Sequence, residues 1–374
     1  MGEHIVALRG WHPALAQAEV RALFPGRNIQ LFASPRLMQL QLNEEDLPNI
    51  SISSGIEAIF NNGENHDFND AESIRLIIKS HLEVNPPNDE ACAVVAWKHG
   101  QGIEGVSRSA FAGRIGGILS SMGAKIDLEH PKQRFGILID QHSNSVTFGW
   151  LQGMGPKGDG SVERRASQRP FFKPVSLEPR LARLAVNLAG GPLQKGAILD
   201  PMTGTGGFAI EAALSGRDVV ALDLDAEMIV GAKSNLEWSG STANVFFQGD
   251  ATNVKASIPN DGPQAFSGIV LDPPYGRNSQ GSLDHQELLK QTLLSCSKVV
   301  EDGSLVLILP SEARELCLES ALTAEGRPQL IHFQWPELER VLLDCNWKYE
   351  SAWYVFVHGS LGRVVIYASI VPQG

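Results

Sequence analysis

The stretch with the most chemistry in it is Asp272-Pro273-Pro274-Tyr275-Gly276. Two consecutive prolines fix φ and remove two N–H donors, so the turn offers carbonyl oxygens and one carboxylate. A rim of acceptors suits an exocyclic amine, which has two N–H donors to give. Tyr275 supplies a flat face on which a planar base can stack. An aromatic amine is a poor nucleophile because its lone pair is delocalised into the ring. Donating its hydrogens to Asp272 and to the Pro273 carbonyl draws the nitrogen towards tetrahedral geometry. The lone pair can then aim in line at a methyl group, and positioning supplies most of the catalysis. Asp272 can take the released proton, directly or through water, as an Asn amide cannot. The motif points to N-methylation and leaves adenine, guanine, cytosine and a glutamine amide open.

A second constellation lies upstream. Asp200-Pro201-Met202-Thr203-Gly204-Thr205-Gly206-Gly207 follows an apolar strand-like run and opens a helical one, Phe208 to Leu214. Gly204, Gly206 and Gly207 allow a tight turn and close approach of backbone to a ligand. The helix start offers free N–H groups and the positive end of a dipole. Asp223, with Leu224 beside it, ends the next strand, where a carboxylate can accept both ribose hydroxyls of an adenosine. Asp250, with Ala251, ends the third strand and is placed to meet an adenine amino group or to cap a helix before Thr252. Asp200 at the loop mouth repels a phosphate and suits a cation. That favours S-adenosylmethionine, with its ammonium and sulfonium, over a nicotinamide dinucleotide.

The elements that must position these residues alternate. Short apolar runs at 197–199, 219–222, 245–248, 269–271 and 305–309 are mostly separated by helical segments, the first of them preceded by a helix from Pro179 to Leu188. This predicts a doubly wound parallel sheet. Residues 351–357 and 364–370 read as an antiparallel hairpin at its end. The N-terminal part predicts a compact α+β region: a strand at 4–9, a helix at 13–23, strand-like alternation over 29–42, a helix at 71–82, a strand at 92–97, a helix at 105–122, and strands at 135–139 and 146–150. Residues 152–170, rich in Gly, Pro, Ser and Arg, read as a linker.

With 374 residues, 43% hydrophobic and 20% charged, the chain has the composition of a globular protein of two or three domains. No apolar run approaches the roughly 18 residues of a membrane span, and the first ten residues do not read as a signal peptide. Cys92, Cys296, Cys317 and Cys345 form no Cys-x-x-Cys pair, so neither a metal site nor a disulfide framework is expected, and reduced thiols fit a cytoplasmic protein. The net charge of −11 is unevenly spread. Residues 98–173 carry +5, between −7 over residues 1–97 and −9 over 174–374. Within the basic segment Lys98, Arg108, Arg114, Lys132, Arg134, Arg164, Arg165, Arg169 and Lys173 are candidates for contacting RNA phosphates.

Further stretches carry a family resemblance. Arg169-Pro170-Phe171-Phe172-Lys173-Pro174, followed by Leu177-Glu178-Pro179-Arg180-Leu181-Ala182-Arg183, resembles the segment leading into the catalytic domain of archaeal tRNA guanine-10 N2-methyltransferases. His358-Gly359-Ser360-Leu361-Gly362-Arg363 resembles their C-terminal hairpin signature. Residues from about 50 to 155 resemble a THUMP domain, a module that holds the acceptor end of tRNA, and residues 1–50 fit the small ferredoxin-like domain that accompanies it. The resemblance implies four parts: a ferredoxin-like part over 1–50, THUMP over 51–155, a linker over 156–173, and over 174–374 a Rossmann-like class I methyltransferase domain with a seven-stranded sheet. It implies transfer of methyl from S-adenosylmethionine, leaving S-adenosylhomocysteine, to guanine N2 at position 10 of tRNA, once or twice, by a monomer. Asp rather than Asn at position 272 leans towards position 10. Alternatives are another guanine in tRNA or rRNA, adenine in DNA, a protein glutamine, or an RNA-binding protein with an inactive catalytic domain.

Overall fold

A computed structural model of the chain describes residues 2–153, 160–173, 176–241, 245–274, 284–316 and 318–372. Contacts divide it into two units. The first comprises residues 1–13, 26–47 and 56–158, the second residues 14–25, 48–55 and 159–374.

The first unit is built on one sheet of strands β1 (Gly2–Leu8), β2 (Ile29–Leu31), β3 (Leu37–Leu42), β4 (Ile56–Asp67), β5 (Cys92–His99), β6 (Gln133–Asp140) and β7 (Ser145–Leu151), in the order β2-β3-β1-β4-β7-β6-β5. The division expected at residue 50 is no break in this sheet, because β1 pairs antiparallel with β4. Strand β4 has no counterpart in the sequence reading. Its second half, Asn61-Asn62-Gly63-Glu64, looks like a turn. The ladder to β7 shifts register between Asn61 and Glu64, and Asn62 sits at φ 49°, so a bulge absorbs the turn-forming residues inside a continuous strand. The helices at Ala71–Val84 and Arg108–Ser121 bury Ile74, Ile78, Leu82, Phe111, Ile115 and Leu119 against Phe135, Ile137 and Phe148 of the sheet.

The second unit is the doubly wound sheet that the C-terminal rhythm predicts. Strands β8 (Ile198–Asp200), β9 (Val219–Asp223), β10 (Val245–Gln248), β11 (Gly268–Leu271), β12 (Ser304–Ser311), β13 (Trp347–His358) and β14 (Leu361–Ile370) run in the order β10-β9-β8-β11-β12-β14-β13. The first five pair parallel, and β14 joins β12 antiparallel, so the terminal hairpin inserts its second strand before its first. Buried Leu199, Val220, Leu222, Ile269, Leu271, Leu305, Leu307 and Leu309 are near-continuous apolar runs, as expected of strands covered on both faces. In the unit's helices, labelled α1 (Pro179–Gly190), α2 (Gly207–Leu214), α3 (Ala226–Trp238) and α4 (His285–Cys296), Leu181, Leu184, Leu188, Ile210, Leu236, Leu289 and Leu293 are buried.

Two N-terminal pieces are stitched into this unit. The carboxylate of Glu19, fully buried, accepts from Ser53 Oγ at 2.7 Å, the Ser54 and Gly55 amides at 2.8 and 2.7 Å, and Asn187 Nδ2 of α1 at 2.7 Å. Burial raises its pKa. Nothing in the local sequence around Glu19 announces a partner 168 residues away.

Candidate active site

Strand order reverses between β8 and β11: β9 and β10 follow to one side of β8, β12 to the other. Ligands of such sheets lie at this switch point, outside the carboxyl ends of the strands. Asp200 ends β8, Asp223 ends β9, and Asp272 follows the last residue of β11. Three of the four acids that the sequence singled out therefore occupy neighbouring strand ends.

Asp200 is fully buried, and neither carboxylate oxygen makes a well-formed hydrogen bond. Burial pushes its pKa up to about 8; Thr203 and the Met202 amide draw it partly back, while the charges of Asp223 and Asp272 push it further up. Asp272 is thus close enough to the glycine-loop acid to be felt by it. Asp223 accepts from the Gly204 amide at 2.9 Å and the Asp225 amide at 3.0 Å, and burial raises its pKa as well. Three acids at adjacent strand ends, one of them buried enough to keep its proton near neutrality, favour a cation as the ligand.

The loop between Asp200 and α2 is shaped by its glycines. Gly204 and Gly206 have φ of 51° and 81°. A Cβ on Gly206 would stand 3.0 Å from the Ala232 Cβ on α3, so helix and loop meet there. The loop is held from outside by Asn235 of α3, whose Nδ2 donates to the carbonyls of Thr205 at 2.9 Å and Phe171 at 2.8 Å, while its Oδ1 accepts from the Phe171 amide at 2.8 Å. Ser176 Oγ lies 3.0 Å from Thr205 Oγ1. Leu224 is 58% exposed, as a residue covering a ligand ring would be, and Ala251 is buried. Asp250 is exposed and accepts from both the amide and the hydroxyl of Thr252 at 2.8 Å, so the helix-capping alternative is realised. On the rim, Arg363 Nη2 of β14 lies 4.0 Å from Asp272 Oδ2. Pro273 is buried and Pro274 exposed, whereas Tyr275 lies outside the described residues, as does the loop after it.

A family model described as an RMKL-like methyltransferase domain matches residues 166–334, which span the glycine loop, Asp223 and Asp272. A tRNA (guanine(10)-N2)-dimethyltransferase of Pyrococcus abyssi is 37% identical over 198 residues, 53% of this chain and 57% of that protein. A probable tRNA (guanine(10)-N2)-dimethyltransferase of Methanothermococcus thermolithotrophicus is 33% identical over 112 residues, 29% of this chain and 68% of that protein. The chain belongs to this methyltransferase family. It spans just over half the length of the first of these relatives. The crystal structure of TrmN from Thermus thermophilus, 20% identical, superimposes with a TM-score of 0.50 over 98% of this chain and 100% of that one, which establishes the class I methyltransferase fold.

For this family member the basic candidates fall into two groups. Lys98, Arg108, Arg114 and Lys132 are exposed in the first unit, with Arg134 half-buried. Lys98 and Arg108 line a cavity of about 420 Å³ with Gln101 and Ser107. In the second unit Arg165 is exposed, and Lys173 Nζ lies 3.4 Å from Glu227. Arg164 is partly buried and pairs with Glu211, Nε to Oε1 at 2.7 Å. Arg169, at 5% exposure, is buried, unlike the exposed candidates. Sequence reasoning also missed Asn235, which ties Phe171 to the glycine loop, and Glu211, which joins Arg164 and the Arg183 of α1 to α2. A buried acid at the fifth position of an otherwise apolar helix, Gly-Phe-Ala-Ile-Glu, was the available signal. Among the described residues no cluster of His, Cys, Asp and Glu has metal-site geometry. Cys92, Cys296 and Cys345 are buried, with Cys296 pushed up to about 12 by burial, and Cys317 lies outside the described residues. No helix among the described residues is long and apolar enough to cross a membrane.

Proposed function

We propose that this chain methylates the exocyclic N2 of a guanine in tRNA, at position 10, using S-adenosylmethionine, and that it adds a second methyl to the same nitrogen. The observation that carries this reading is the convergence of Asp200, Asp223 and Asp272 at the switch point, with Asp272 leading into two prolines. The donor set fits the cofactor. A buried carboxyl without a good hydrogen bond at Asp200 suits an ammonium, and Asp223 beside the exposed Leu224 suits a ribose and its base. When bound, S-adenosylmethionine supplies a sulfonium-activated methyl, so the chain need only position the acceptor.

Asp272 and the Pro273 carbonyl hold the amino group, and Asp272 takes the proton that the nitrogen loses. Arg363, with Nη2 4.0 Å from Oδ2, helps orient the carboxylate. A base inside a folded tRNA reaches Asp272 by leaving its stack, at a cost of a few kcal/mol. Lys98, Arg108, Arg114 and Lys132 grip the tRNA by phosphate and shape, which matches a THUMP role for residues 51–155 with the ferredoxin-like part before it. The enzyme acts as a cytoplasmic monomer. Nucleoside mass spectrometry of tRNA incubated with enzyme and donor, with the position mapped, tests the reading. It expects N2-methylguanosine and its dimethyl form at position 10. Methyl incorporated into DNA or protein but not tRNA would refute it.

A further inference from the structure

A buried guanidinium near the glycine loop has both terminal nitrogens without a hydrogen bond. Arg169 is 5% exposed, and both terminal nitrogens, Nη1 and Nη2, are buried without a hydrogen bond. Its Nε donates to the Arg164 carbonyl at 3.2 Å, which fixes the direction in which the fork points. The fork points at the start of α2: Nη1 lies 3.7 Å from where a Cβ on Gly207 would be. The neighbouring acid, Glu211, acts on it through charge but makes no hydrogen bond to the fork. Glu211 is fully buried and already spends Oε1 on Arg164 at 2.7 Å and Oε2 on Arg183 at 3.0 Å. Three guanidinium groups therefore surround one carboxylate, and Arg169 is the one left without a bond to it.

Three guanidinium groups sharing one carboxylate leave a local excess of positive charge, and a buried fork without hydrogen bonds is costly, so the site favours the arrival of a further counter-charge. The helix start beside it wants the same thing. Gly206 is the N-cap of α2 and has no side chain to satisfy the first amides. Backbone donors, dipole and guanidinium thus converge on one spot, an arrangement that suits an anion. Across the glycine loop, Asp200, Asp223 and Asp272 form an acidic pole. An acidic pole and a basic pole on either side of one short loop match a zwitterion.

We propose that Arg169 binds the α-carboxylate of the cofactor's amino-acid moiety, while the acidic pole takes its ammonium. This rests on the S-adenosylmethionine reading given above. Arg169 is a binding residue, set apart from the methyl-transfer chemistry at Asp272.

The test is calorimetry on the full chain with two ligands: S-adenosylhomocysteine, and its decarboxylated analogue, which keeps the amine and lacks the carboxylate. Wild type is expected to prefer the former. Arg169→Met should weaken S-adenosylhomocysteine by roughly 10- to 100-fold, the worth of a charge-assisted pair, and leave the analogue unchanged. Arg169→Lys keeps the charge without the fork and should fall between. The ligand-free Arg169→Met protein should melt close to wild type, since the variant removes a desolvated fork without hydrogen bonds and its repulsion from Arg164 along with its attraction to Glu211. Equal weakening of both ligands would show a structural role and overturn the proposal. So would unchanged affinity for both, with weakened tRNA binding instead pointing to a phosphate contact. Wild type that binds neither ligand would overturn the cofactor reading itself, an outcome distinct from the failure of Arg169 alone.

Discussion

With Asp200 as the proposed partner of the cofactor's ammonium, binding should be coupled to a proton. The pKa of Asp200 in the free protein is about 8, raised first by burial and then by the charges of Asp223 and Asp272. An ammonium can pair with this group only when it is ionised, so at neutral pH binding must expel a proton. Each pH unit below the free pKa costs about 1.4 kcal/mol, or tenfold in affinity. With a pKa of about 8, affinity for S-adenosylhomocysteine at pH 7 should be about tenfold below its plateau, and at pH 6 about a hundredfold. Titration calorimetry from pH 6 to 9, repeated in buffers of different ionisation enthalpy, reads both the slope and the proton released. Asp200→Asn should bind weakly and lose most of the slope. The same shift sets a stability trend. The native state holds a proton that the unfolded state gives up above a pKa of 3.8, so this group destabilises the ligand-free fold progressively from about pH 4 to 8 and no further above 8. Asp200→Asn should therefore melt higher than wild type near pH 8. Affinity that is flat from pH 6 to 9, or proton uptake on binding, would refute the reasoning.

Further outcomes follow from the same geometry. Gly206→Ala places a Cβ 3.0 Å from Ala232 at a φ of 81° and should destabilise the fold by about 1–3 kcal/mol, read by denaturant unfolding, with cofactor binding weakened because the loop must move. Asp272→Asn removes the proton acceptor and should lower methyl transfer to unmodified tRNA by roughly 10²- to 10⁴-fold while S-adenosylhomocysteine still binds; full turnover in the folded variant would remove Asp272 from the chemistry. Lys98→Ala with Arg108→Ala should weaken tRNA binding and lower the slope of log K against log salt by about 1 for each phosphate no longer neutralised, with cofactor affinity unchanged. An unaltered salt slope would move the tRNA surface elsewhere.

What the sequence revealed and what it hid divide along a physical line. The doubly wound sheet was legible because each strand is a short apolar run between helices, a pattern written locally. The acids were legible for the same reason: Asp200 and Asp223 end such runs, and Asp272 precedes two prolines. Strand β4 was hidden because Asn-Asn-Gly signals a turn wherever it stands, and only pairing with β7 converts the turn into a bulge. The place of residues 14–25 in the second unit was hidden because Glu19 finds Asn187 through the folded chain, a contact that no local pattern encodes.

Arg169 shows where a charge count stops being informative. In the sequence it is one of 11 basic residues between 98 and 173, and their excess over the acids reads as a phosphate-binding surface. A surface reading assumes solvent on one side of each charge. Arg108 and Arg114 meet that assumption and Arg169 does not, since its fork is buried beside the start of α2. Nothing within the Arg-Pro-Phe-Phe run distinguishes the two fates. The distinction is made by Asn235, which holds the backbone of Phe171 at both its amide and its carbonyl, and by Gly231, where any Cβ would collide with the Phe171 ring. Anchored there, the chain draws Arg169 inward. The basic character that points to RNA in the sequence is, at this position, turned inward beside the glycine loop, where the proposal above gives it a small-molecule ligand.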